Sequence, residues 1–176
     1  MGHASRVSGG RVDDWAEVDD AQAIPFWYLF GSDRGKSITI KEPPMEIRYA
    51  LVKELPEMDY EAAVERATAL LADEGFGILT EIDVKATLKK KIDVDFKKYV
   101  ILGACNPQLA HQAMSGEPFI GVLLPCNVVV MEREGGGSIV SAFKPTAGFS
   151  LVDNPDVSPI AEEVEGRLRR MLDRLG

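Results

Sequence analysis

From Ser158 onward the chain sets Ile160, Val164, Leu168, Met171, Leu172 and Leu175 on one side of a helix, since residues three and four apart share a face at 3.6 residues per turn. An apolar stripe of that length has to be buried, so this helix must pack on a sheet. Ser158-Pro159 supplies a start signal, with a capping side chain before a proline at the first helical position. Glu162, Glu163 and Glu165 lie early, and Arg167, Arg169, Arg170 and Arg174 lie late. That order complements the helix dipole.

The segments that would build the sheet lie upstream. Ile47, Tyr49 and Leu51 alternate as in a half-buried strand. Asp59 then caps a helix with Tyr60, Val64, Ala67 and Leu71 on one face, and Gly75 stops it. Phe76 to Ile82 reads as a second strand, and Asp83 caps a short helix marked by Val84, Leu88 and Ile92. Tyr99 to Leu102 reads as a third strand, after which Asn106-Pro107 starts a helix ending near Gly116. Ile120 to Glu132 reads as strand again, with Pro125 implying an edge or a bulge because proline cannot donate to a ladder. Gly135-Gly136-Gly137 turns the chain into a partner strand, Ile139 to Phe143.

A length of 176 residues suits one core. Hydrophobic residues at 45% and charged residues at 27% favour neither disorder nor a membrane class. The apolar run Ile120 to Met131 is far short of a bilayer span. Asp13, Asp14, Glu17, Asp19 and Asp20 occupy the place of a secretory signal's apolar segment, so a cytoplasmic protein is expected, with no membrane partner. A net charge of -8 opposes a broad nucleic-acid footprint, and the Lys85, Lys89, Lys90, Lys91, Lys97, Lys98 stretch has no stacking aromatics or Arg interleaved at regular spacing and reads as a solvated helix face and turn. Gly31-Ser32-Asp33-Arg34-Gly35-Lys36-Ser37 fails as a phosphate loop. That loop needs four residues between its glycines and a helix after it, whereas Ile38-Thr39-Ile40 and Pro43-Pro44 read as extended chain.

Two Cys-Asn steps carry what chemistry is visible. Cys105 falls after a strand and just before a helix cap, where the helix dipole lowers a thiol pKa. Cys105 is therefore either a reactive thiolate, with Cys126 near it on a neighbouring strand, or, like Cys126, a small buried hydrophobe. Asn106 is explained by capping; Asn127 sits in an apolar strand and, if buried, needs partners in the Cys105 turn or in a ligand. The two thiols and His111 match no zinc spacing, so no metal is expected. With His3 and His111 the only histidines and no serine in a nucleophile elbow, no hydrolase triad is visible.

Gly103-Ala104-Cys105-Asn106-Pro107 and Leu123-Leu124-Pro125-Cys126-Asn127-Val128-Val129, with Gly75 to Asp83 and Lys85-Ala86-Thr87-Leu88, resemble the bacterial and archaeal domain of unknown function 302 family. The resemblance covers residues 45–176 and implies an α+β fold in which an antiparallel sheet carries two main helices, β-α-β(4)-α, similar to the TATA-box-binding protein, with short extra helices. It also implies a homodimer, and brings no reaction with it. Residues 1–44 fall outside it and are expected to be an extension, either not native or loosely ordered.

The expected function is a homodimeric ligand-binding or interaction domain, taking a small apolar ligand between helix and sheet at a site that includes Asn106 and Asn127. The alternative is a thiol-dependent redox or sulfur-handling protein that uses Cys105, with Cys126 as resolving or co-ligating partner.

Overall fold

The structure is a computed structural model that describes residues 47–176. The expectations for residues 1–44, including the failed phosphate loop, lie outside the described residues. The elements run β1 (Ala50–Leu55), α1 (Tyr60–Asp73), β2 (Gly77–Asp83), α2 (Val84–Ile92), β3 (Tyr99–Cys105) and α3 (Pro107–Gly116). A 3-10 helix (Pro118–Leu123), β4 (Cys126–Glu132), β5 (Ser138–Phe143), α4 (Pro145–Phe149), a 3-10 turn (Pro155–Val157) and α5 (Ser158–Asp173) complete the domain. All strand pairs are antiparallel, in the order β1-β5-β4-β3-β2. With α1 and α5 as the long helices, the chain follows the β-α-β(4)-α order of an α+β domain.

Local chemistry starts three of the α-helices. Asp59 Oδ1 accepts from Ala62 N at 2.8 Å, Asp83 Oδ1 from Ala86 N at 2.9 Å and Asn106 Oδ1 from Leu109 N at 3.1 Å. Each of these bonds satisfies an N–H that has no partner within the helix. Ser158 does not cap α5, because the chain enters that helix from the preceding 3-10 turn, with Val157 already helical. Asn154 takes the capping role one turn earlier, accepting from Asp156 N at 3.0 Å.

One face of the sheet is covered. Leu51, Leu55, Val100, Leu102, Ala104, Val128, Val130, Val140 and Ala142 pack against Ala63, Ala67, Leu70 and Leu71 of α1 and Val164, Leu168, Met171 and Leu172 of α5. The late arginines of α5 do more than oppose a dipole. Arg167 Nη1 donates to Glu74 O at 3.0 Å, Arg170 Nε to Glu74 Oε2 at 3.0 Å and Arg174 Nη2 to Asp73 Oδ2 at 2.7 Å, so they tie the two long helices together.

Three expected elements differ. β1 begins at Ala50, because the chain at Arg48 and Tyr49 turns before the sheet starts. β3 runs on to Cys105, paired with Gly77. The expected strand from Ile120 is split: Glu117 and Pro118 start the 3-10 helix, and β4 begins only at Cys126. Pro125 marks no edge, since β4 lies between β3 and β5. It precedes the first ladder pair, Ala104 with Cys126, so its missing N–H is not needed.

Candidate functional site

The two cysteines meet at one end of the sheet, where β3 finishes and β4 starts. There α3, Leu124 just after the 3-10 helix, α4 and α5 border a small, half-open apolar cavity of about 20 Å³. Phe76, Leu109, Leu124, Phe149 and Ile160 line it, with Cys105 and Cys126 at its sheet side. That volume admits one water-sized group, whereas pockets for drug-sized ligands run from about 300 Å³ upward.

Asn106 lies on the cavity wall, buried, and both of its polar atoms are engaged. Its Oδ1 caps α3, while its Nδ2 donates to Gly75 O at 2.9 Å. Gly75 has φ +82°, and a Cβ there would lie 3.0 Å from Asn106 Nδ2. Glycine is therefore required both by the left-handed backbone and by the approach of the amide. Arg167 on Glu74 O and Asn106 on Gly75 O together satisfy the exposed carbonyl end of α1.

The thiols are not activated. Burial pushes the half-buried Cys105 thiol up, opposite to the lowering expected from its place before α3. Burial first, and the neighbouring Cys105 second, push Cys126 up to about 12. Desolvation of the charged form outweighs the helix N-terminus here. At neutral pH the cavity therefore holds two protonated thiols and no strong nucleophile.

Asn127 lies elsewhere than expected. Val128 and Val130 point into the core, so Asn127 falls on the opposite face, exposed and opposite Gly103. His111 is exposed on α3. Among the described residues no three His, Cys, Asp or Glu side chains gather as a metal site. No helix among them is long and apolar enough to cross a membrane.

Two structural devices at this end were not anticipated. Buried Glu165 of α5 accepts from Thr146 N at 3.2 Å, from Thr146 Oγ1, and from Arg169 Nη2 at 2.6 Å, which pins α4 to α5. Gly103 lies under Thr80 and Pro125, where a Cβ would come within 2.3 Å of Thr80 Oγ1 and 2.9 Å of Pro125 Cγ. Both contacts join residues far apart in the chain, and sequence spacing carries no signal for either.

A family model described as "Domain of unknown function DUF302" matches residues 51–175. The chain belongs to the DUF302 family. A crystal structure of an uncharacterized conserved DUF302 protein from Bacillus stearothermophilus is similar to it at 31% identity, with a TM-score of 0.67 over 73% of this chain and 98% of that one. No curated protein matches. For DUF302 no reaction is assignable.

Proposed function

We propose that this DUF302 domain is an interaction module that works as a homodimer, joined through the face of the sheet opposite α1 and α5, which neither of these helices covers. One observation carries the reading. Val52, Ser141, Val129, Ile101 and Ile82 lie side by side across all five strands on that face. A parallel row holds Ile139, Met131 and Tyr99, and no residue of either row enters a buried core cluster.

Five strands about 4.8 Å apart and about 20 Å long present a face of roughly 500 Å², in which the two rows lie among the polar Glu54, Thr80, Asn127 and Ser141. Counted on two copies this reaches about 1,000 Å², the lower bound for a specific interface. A two-fold axis through the face would set the apolar rows of both copies against each other. The cavity beside Cys105 is the weaker candidate for a ligand, because it takes only one small group without rearrangement.

Light scattering after gel filtration tests the reading, with Val129→Lys as the probe at the middle of the row. The wild-type chain is expected at twice the monomer mass and the variant at the monomer mass. A wild-type monomer at micromolar concentration, or a variant that stays dimeric, would rule the interface out.

A further inference from the structure

We propose that the end of the domain built by the 3-10 helix and the loop after α4 is a docking site for a basic amphipathic helix of another protein. This surface is separate from the sheet face proposed for the dimer. Its anchors are Phe119, Val122 and Leu151, which are 83%, 87% and 82% exposed.

The 3-10 geometry explains why these residues stand out. At three residues per turn, side chains three apart lie in one row. Ile120 and Leu123 form the inward row, packed with Phe149, Val152 and Val157. Phe119 and Val122 form an outward row that nothing among the described residues covers. Asn154 Nδ2 donates to Gly116 O at 3.1 Å, which holds the 151–154 loop beside the end of α3 and brings Leu151 to the same end.

Charge selects the occupant. Residues 106–131 and 145–166 contain no Lys or Arg, and Lys144 before α4 is the one cation bordering them on that side. They do contain Glu117, Asp153 and Asp156, which form no ion pair among the described residues. An apolar row with Glu117 and Asp153 each two residues from an anchor suits a helix whose apolar anchors recur at three and four residues and whose flanks carry Lys or Arg. The same carboxylates oppose the other occupants. A second copy docked by the same patch would face like charges across a two-fold axis, and an anionic lipid surface attracts Lys and Arg, not carboxylates.

Fluorescence anisotropy on the full chain tests this with a labelled leucine-lysine heptad peptide as the probe and a leucine-glutamate peptide as its control. The expected result is saturable binding of the leucine-lysine peptide, weakened by salt and by at least about tenfold in the Phe119→Ser, Val122→Ser double variant. Both sites are exposed, so the variant keeps its fold, and the charge of the chain is unchanged. Val129→Lys is expected to bind the peptide normally, which separates this surface from the proposed dimer face. Equal affinity in the double variant, or equal binding of the leucine-glutamate peptide, would overturn the proposal. Phe119-dependent binding to phosphatidylglycerol vesicles would overturn it in favour of a membrane, and a dimer lost in the double variant would do so in favour of a second copy.

Discussion

Asn106 and Gly75, 31 residues apart in sequence, are joined by a 2.9 Å hydrogen bond from the Asn106 amide to the Gly75 carbonyl. The bond fastens the start of α3, which lines the cysteine cavity, to the end of α1 just before Phe76, which also lines it. Asn106→Ala removes both the cap and this donor and leaves a part-buried carbonyl unsatisfied. The expected cost is about 1–3 kcal/mol, read from the urea midpoint. Asn106→Ser restores the cap but not the reach to Gly75, and should recover only part of that loss. Equal stability of the Ala and Ser variants would show that the cap contributes nothing.

The thiols give a second prediction. Because burial raises Cys105 and holds Cys126 up to about 12, native alkylation by iodoacetamide at neutral pH should be slow, with Cys126 labelled only on unfolding. The Cys105 rate should keep rising through and beyond pH about 8.5, where a free thiol is half ionised. A rate that levels off well below that pH would restore the thiolate reading of Cys105.

Helix starts were legible because their chemistry is local: Asp59, Asp83 and Asn106 each bond an N–H three residues on. The strand before Pro125 was misread because an unbroken apolar run has no period to separate strand from helix. The Glu117-Pro118 start was the signal that could have decided it. Asn127 was ambiguous because Val128, Val129 and Val130 are all apolar, which hides the phase of the alternation. For Cys105 both readings stayed open in the sequence, since a helix N-terminus is visible there whereas the burial that raises the thiol is tertiary. The same limit hid Glu165, whose partner Thr146 belongs to a short helix that no spacing announced.

Gly103 tests how closely β2 and the β4 entry are packed around β3. Gly103→Ala would drive its Cβ into Thr80 Oγ1 and the Pro125 ring, and the expected cost is about 1–3 kcal/mol by thermal or urea unfolding. Thr80→Ala in the same chain removes the nearer contact and should return part of that loss, leaving the share due to Pro125. Full additivity of the two substitutions would show that the contact does not exist in solution.

Glu165 links the stability of the cavity end to pH. Burial by itself would raise its carboxyl, but hydrogen bonds from Thr146 and from Arg169 outweigh burial and hold it below the usual carboxylate value. A carboxyl whose folded pKa lies below its unfolded one contributes stability that is fully present above the unfolded value of about 4.5. That contribution is lost as pH falls through the folded value. Glu165→Gln keeps the shape but removes the charge, so it forfeits this contribution at every pH. The wild-type chain should therefore exceed the variant most at neutral pH, and the difference should shrink steadily on acidification below about pH 4.5. Unfolding midpoints of both proteins between neutral and strongly acidic pH would measure it. A difference that stays constant with pH would mean that the Glu165 carboxylate does not hold α4 to α5.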